Sequence, residues 1–289
     1  MIPRDSNPRQ QRSVNANDAT VQAISFFLLA FLITWGCHLP QVAFVKGWIS
    51  FRPPAWLLFA GVFGPMFAAI LLTYQFEGRK GVKRLFSKFL IWKVAWYWFA
   101  LALFTAIAVR LTGLQVLLSF SDPVPDVTYL APAAVIMALP QWVLIVPIEE
   151  IGWRGFALPR LQAKYSALGA GSILGVLWGI WHLPLMLIQP SRMLGGSFMA
   201  GVILFLLSVF ITSLFMTWLF NSTRGSLLIA TLFHAASNAG FGIFSLPEAY
   251  QVAHTIIALL LAFWIIGWVL WRKGAENMSG AKRISWPEY

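Results

Sequence analysis

The chain has 289 residues, of which 59% are hydrophobic and only 11% are charged. Soluble domains carry about 25% charged residues, and disordered chains combine high charge with low hydrophobicity. The composition therefore excludes both classes and indicates a membrane protein. The 21 Lys and Arg against 10 Asp and Glu give a net charge of +11, which basic cytoplasmic loops explain more simply than nucleic-acid binding. We expect no nucleic-acid partner.

Eight apolar stretches follow a polar N-terminal segment, residues 1–20, which is predicted to be a cytoplasmic tail. Each stretch reaches the length of about 20 residues that a spanning helix needs. They comprise residues 23–45, 55–76, 95–117, 131–159, 168–188, 199–220, 225–245 and 253–271. Residues 81–96 mix basic and apolar side chains, which is typical of an amphipathic helix at the membrane surface. We predict an all-α, polytopic bundle of about eight helices forming one domain over residues 21–273, followed by a cytoplasmic tail, 274–289.

The basic residues are distributed unevenly between the two sides of this predicted bundle. If the N-terminus is cytoplasmic, 17 of the 21 basic residues share its side. Only Lys46, Arg52 and Arg192 lie on the opposite side, and Arg110 lies within the third stretch. Because cytoplasmic loops are enriched in Lys and Arg, we expect both termini in the cytoplasm. The protein would then be integral to the cell membrane, with lipid as a partner.

A few ionisable or amide side chains interrupt the apolar stretches. An ionisable group at the centre of a span costs about 2.5–3.5 kcal/mol on insertion scales, so such groups are candidates for function. The candidates are Glu149, Glu150 and Arg154 in the fourth stretch, His182 in the fifth, and His234 and Asn238 in the seventh. His38 and His254 belong to no pattern and are expected near the outer interface.

The two adjacent carboxylates of the fourth stretch differ in their expected partners. Glu150 and Arg154 are four residues apart, so their side chains can pair on a helix. Glu149 lies about 100° away around the helix and is therefore the less neutralised carboxylate. A carboxylate in a medium of low dielectric constant is suited to act as a general base for water.

The histidines also have partners at helical spacing. His234 and Asn238, four residues apart, present a ring nitrogen and an amide to one surface. Trp178 and His182 share that spacing, so the indole can cover one side of the imidazole. A His beside a general base can orient water, and a His–Asn pair can donate to the oxyanion that forms during amide hydrolysis.

A metal site is the alternative use of one Glu and two His. The sequence contains no H-E-x-x-H pattern, and its single cysteine, Cys37, excludes a zinc site built from several thiolates. We predict a site without a metal or other cofactor, and zinc is the variant that metal analysis would test.

These residues resemble the three motifs of the CPBP family, the CAAX prenyl endopeptidases and the bacteriocin-processing or immunity proteins. The motifs are Glu149-Glu150-x-x-x-Arg154, an aromatic residue four positions before His182, and His234-x-x-x-Asn238, and they fall within residues 135–245. The resemblance implies an eight-helix intramembrane glutamic endopeptidase with a conical cavity open to the cytoplasm. Trp178 stands where the family usually has Phe.

The resemblance also implies a role for each residue of the motifs. Glu149 and His182 would activate water, and His234 and Asn238 would bind the oxyanion. Glu150 and Arg154 would form a supporting ion pair.

The resemblance leaves the substrate and two other functions open. The substrate class is a C-terminal CAAX tail carrying a prenyl group, or another membrane-associated peptide. One alternative is a non-proteolytic scaffold or bacteriocin-immunity protein on the same fold. The other is a transporter that uses the buried Glu and His as a proton relay, although the sequence lacks the internal repeat that many transporters have.

Overall fold

The computed structural model describes residues 8–189 and 197–285. The α-helices in these ranges are α1 (Pro8–Val45), α2 (Trp56–Val62), α3 (Gly64–Ser87), α4 (Trp96–Phe120), α5 (Pro132–Ile145), α6 (Pro147–Glu150), α7 (Leu158–Gln162), α8 (Ala167–Trp181), α9 (Leu183–Ile188), α10 (Phe198–Ser222), α11 (Leu227–Gly240) and α12 (Glu248–Lys273). A π-helical segment, Ile151–Ala157, joins α6 to α7 and is called the π segment below. Two short antiparallel strands, β1 (Thr128–Tyr129) and β2 (Phe244–Ser245), tie the loop after α4 to the loop after α11. The all-α prediction is confirmed.

The apolar helices are those of an integral membrane protein. Within the described ranges, five helices are long and apolar enough to cross a membrane. A sixth span results if α2 and α3, which meet at an angle of 45°, are counted together. The helix α11 is apolar but only 14 residues long. The number of spans thus approaches the predicted eight, whereas the cavity open to the cytoplasm stays a prediction.

The structure describes part of each predicted tail. Helix α1 already begins at Pro8, so residues 8–20 continue the first helix; residues 1–7 lie outside the described ranges, as does Arg192. At the other end, Met278 is fully buried. Asn221 on α10 donates to the backbone carbonyl of Asn277 at 2.9 Å, so the segment after α12 packs onto the end of α10.

The predicted fourth span, residues 131–159, is broken into α5, α6, the π segment and α7. Proline lacks a backbone N–H and cannot continue the hydrogen bonds of a preceding helix, and Pro147 stands at the first position of α6. Gly152 lies so close to Pro65 of α3 that an added Cβ would come within 2.6 Å of the Pro65 Cβ. Lys88 Nζ donates to the carbonyl of Gly155 at 2.9 Å. The break thus allows close packing against α3 directly after Glu149 and Glu150.

A second break lies between α8 and α9, at His182. Pro184 occupies the first turn of α9, where its missing N–H interrupts the hydrogen bonds of a continuous helix. Helix α8 packs against α10, and Ser213 Oγ donates to the carbonyl of Gly171 at 2.9 Å. His182 therefore ends a helix that a neighbouring helix holds in place.

An aromatic cluster supports both breaks from behind. Phe26 of α1 contacts Trp153 and Phe156 of the π segment, with ring centroids 5.4 and 5.3 Å apart. Trp153 also meets Trp181, the last residue of α8, at 5.7 Å. All four side chains are fully buried or nearly so, so one packed cluster connects the π segment to the end of α8.

His38 and His254, which were expected near the outer interface, are both buried within the bundle, and their depth in the membrane stays a prediction. His38 Nε2 lies 3.0 Å from the carbonyl oxygen of Leu58. His254 Nε2 lies 3.0 Å from the carbonyl oxygen of Arg110. Each ring therefore connects two helices through a bond to backbone.

Candidate active site

Glu149 and Trp178 meet across the two broken helices. Glu149 belongs to the last turn of α6, and its side chain is partly exposed. The indole Nε1–H of Trp178, on α8, donates to Glu149 Oε2 at 3.0 Å. This bond fixes one oxygen of the carboxylate, and the other oxygen, Oε1, has no partner among the described residues.

His182 is held by the same tryptophan through its main chain. His182 Nδ1 lies 2.8 Å from the carbonyl oxygen of Trp178. A carbonyl oxygen only accepts, so Nδ1 carries the hydrogen and Nε2 of the neutral ring carries a lone pair. The ring packs against Trp178, Trp181 and Phe205, with centroids 5.9, 4.7 and 5.2 Å away. The expected cover by Trp178 is present, and two further rings restrict the imidazole.

Glu150 is buried between a cation and a histidine. Its Oε1 accepts from Arg154 NH1 at 3.1 Å, which confirms the predicted ion pair. The same oxygen lies 2.8 Å from His234 Nδ1 on α11. Glu150 and Arg154 have no exposed surface, and His234 is nearly buried. Glu150 therefore joins the first motif to the third.

The guanidinium of Arg154, in the first motif, also contacts Trp178 of the second motif. Its central carbon lies 4.3 Å from the centroid of the Trp178 ring, which is a cation–π distance. Trp178 also meets the ring of His234 edge to face at 5.1 Å. Trp178 thus contacts Glu149, Arg154, His182 and His234, so the structure brings all three motifs together around one indole.

Asn238 follows His234 by one helical turn on α11 and is partly exposed. Within the described ranges, its side-chain amide makes no hydrogen bond to another residue. The amide is therefore available to a ligand, while the ring of His234 one turn earlier is fixed by Glu150.

Two features of this site were not predicted from the sequence. The bond between Glu150 and His234 joins residues 84 positions apart, and no local spacing predicts it. The π segment was also missed, although Gly152 and Gly155 in an apolar helical stretch are a signal for close backbone approach. Among the described residues, no three His, Cys, Asp or Glu side chains converge as a metal site does.

A family model matches the part of the chain that carries these residues, and one relative is similar over less than half of the chain. Residues 131–240 match the model of a family described as type II CAAX prenyl endopeptidase Rce1-like. CAAX prenyl protease 2 of Methanococcus maripaludis is 30% identical over 126 residues, which are 43% of this chain and 46% of that protein. The comparisons confirm the resemblance to the CPBP family. The region matched by the family model contains all the motif residues, and the alignment with the relative spans less than half of the relative's length.

Proposed function

We propose that this protein is an intramembrane endopeptidase of the CPBP type, in which Glu149 and His182 activate a water molecule. The observation that carries the proposal is the set of contacts around Trp178. One carboxylate oxygen and one imidazole nitrogen are fixed by this residue, so Glu149 Oε1 and His182 Nε2 are the atoms left for water.

The attacking step needs one proton acceptor and one positioned water. Glu149 Oε1 takes a proton from water, while the lone pair of His182 Nε2 accepts a hydrogen bond from the hydrogen that the water keeps. The hydroxide equivalent adds to the carbonyl carbon of the scissile peptide bond, and the proton held by Glu149 then passes to the leaving nitrogen. No covalent bond to the enzyme forms.

The oxyanion needs hydrogen-bond donors, and His234 is one of them only if its Nε2 carries a hydrogen. Its Nδ1–H donates to Glu150, so the ring donates at Nε2 only when it carries hydrogens on both nitrogens. In either protonation state the carboxylate of Glu150 accepts a hydrogen bond from His234 Nδ1, and it also pairs with Arg154. The amide of Asn238 is the second donor. Glu150 and Arg154 thus act through His234 and do not touch the substrate.

The proposal extends to substrate and placement. The substrate is a C-terminal CAAX-type tail, prenylated in the preferred case, or another membrane-associated peptide. Similarity to a CAAX prenyl protease and the apolar helices support this class. Residues 21–273 form the membrane domain, both termini lie in the cytoplasm, the membrane is the cell membrane, and the reaction uses no cofactor.

The test is hydrolysis of a quenched, prenylated CAAX peptide by the purified protein. We expect the unaltered protein to cleave the peptide, and the His182→Ala variant to lower kcat about 100-fold or more because the water loses its orienting base. His254→Ala is the matched control, since that ring also bonds a backbone carbonyl but lies outside the site. Full cleavage by His182→Ala would contradict the assignment. Absence of cleavage by the intact protein would favour the scaffold, and proton-coupled flux in proteoliposomes would favour the transporter.

The Trp178→Phe variant tests the bond to Glu149 separately from the packing of the ring. Phe keeps an aromatic ring and the backbone carbonyl that holds His182, but it cannot donate to Glu149. Loss of one hydrogen bond of about 1–1.5 kcal/mol corresponds to about a tenfold lower kcat, with KM unchanged. The control is Trp218→Phe, because the buried indole nitrogen of Trp218 has no partner in the described part of the chain. Equal kcat in the two variants would show that the indole N–H has no role.

A further inference from the structure

A cleft lies between α1 and α3, and none of its lining residues belongs to the candidate active site. Its volume is about 470 Å³, and five of its seven lining side chains are apolar. Two of these, Phe67 and Leu71, leave about half of their surface exposed. Tyr74 and Arg79 are its polar members. The cleft is therefore an apolar groove on the outside of the bundle with a cation among its lining residues.

The position of Arg79 follows from a break in α3. Gly78 has φ 65° and ψ −165°, a backbone conformation that glycine adopts without strain and other residues rarely adopt. The helix before the break carries Phe67 and Leu71, whereas Arg79 comes directly after it. From Phe67 to Glu77 the helix rises about 15 Å at 1.5 Å per residue, which is half of a hydrocarbon core of about 30 Å. The groove thus matches the depth of one leaflet.

The cation in this groove, Arg79, has no partner among the residues that the structure describes. Neighbouring cations are engaged: Arg84 and Arg160 pair with Glu77, and Lys88 donates to a backbone carbonyl. By contrast, no hydrogen bond or ion pair joins Arg79 to another residue of ranges 8–189 and 197–285. Arg79 and Tyr74 are both exposed, so a guanidinium and a phenol hydroxyl are free to donate to an anion.

We propose that this cleft binds an anionic glycerophospholipid. One acyl chain lies along Phe67 and Leu71, and the headgroup phosphate accepts from Arg79 and from the hydroxyl of Tyr74. Charge complementarity selects this occupant over a zwitterionic lipid, because Lys80 and Lys83 are also exposed beside Arg79 and add to the positive potential at that end. The site does not use the groups assigned to hydrolysis, so it stands independently of the proposed function.

The test is a lipid titration of the purified protein by native mass spectrometry. Phosphatidylglycerol and phosphatidylcholine with identical acyl chains are compared. One favourable contact between a basic residue and an anionic lipid is worth about fivefold in affinity. We expect phosphatidylglycerol to bind at least fivefold tighter, and Arg79→Gln to remove this preference without changing the thermal unfolding midpoint.

The adjacent Lys80→Gln variant is the matched control, since it removes the same charge one residue away from the cleft. If Lys80→Gln weakens phosphatidylglycerol binding as much as Arg79→Gln does, the attraction is diffuse and the proposal is wrong. The Leu71→Trp variant fills the apolar part of the groove and keeps Arg79. We expect it to bind phosphatidylglycerol more weakly than the unaltered protein does. Displacement of phosphatidylglycerol from the intact protein by a farnesylated peptide would assign the groove to a substrate chain and overturn the lipid site.

Discussion

Replacing Glu149 with Gln is expected to lower kcat by about 10³-fold or more, because it removes the base that takes the proton from water. Gln is nearly isosteric with Glu, and its side-chain carbonyl can still accept from Trp178 Nε1. The fold and the position of the side chain are thus retained while the basic oxygen is lost. The measurement is single-turnover cleavage of the quenched CAAX peptide, with thermal unfolding of both proteins recorded beside it.

Glu248→Gln provides the control for this variant. Glu248 is an exposed carboxylate in the first turn of α12, and its neutralisation is expected to leave kcat unchanged. If Glu149→Gln cleaved the peptide at the rate of the unaltered protein, Glu149 would not be the general base. If cells that produce Glu149→Gln at the normal protein level also showed the same phenotype as cells with the unaltered protein, the scaffold function would be favoured over the peptidase function.

The helical architecture could be predicted because apolar runs of about 20 residues have few alternatives in a bilayer. The stretches predicted at 95–117 and 199–220 correspond to the uninterrupted helices α4 and α10. The prediction at 131–159 missed the internal breaks, since composition alone does not distinguish a straight helix from one interrupted by Pro147 and a π segment. The continuation of α1 back to Pro8 was also missed, because its polar residues carry no hydropathy signal.

The site was predictable where its geometry is local. The pairing of Glu150 with Arg154 follows from a spacing of four residues. The bond from Trp178 to Glu149 and the bond from His234 to Glu150 depend on how α6, α8 and α11 pack. The bonded residues are 29 and 84 positions apart in the sequence, so the spacing of residues along one helix cannot predict these bonds. The sequence supplies a candidate set of residues, whereas the tertiary packing decides which atom of each residue stays without a partner in the described part of the chain.

Glu150→Gln is expected to destabilise the protein by about 3 kcal/mol, because it leaves the cation of Arg154 buried beside a neutral amide. Both side chains of the pair have no exposed surface. Arg154 bonds to Glu150 through NH1, and its Nε and NH2 have no hydrogen-bond partner among the described residues. The measurement is the free energy of unfolding in detergent, followed by circular dichroism. Glu149→Gln is the comparison, since Glu149 is only partly buried and its change is expected to cost less.

The double variant Glu150→Gln, Arg154→Met separates the loss of charge balance from the loss of packing. Met removes the cation and fills part of its volume with a flexible apolar chain, and buried ion pairs replaced by apolar groups often keep their stability. We therefore expect the double variant to recover most of the stability that Glu150→Gln loses. Its activity should stay low, because His234 still lacks the carboxylate that accepts from Nδ1. A double variant as unstable as the single one would show that the shape of Glu150, and not its charge, supports the fold.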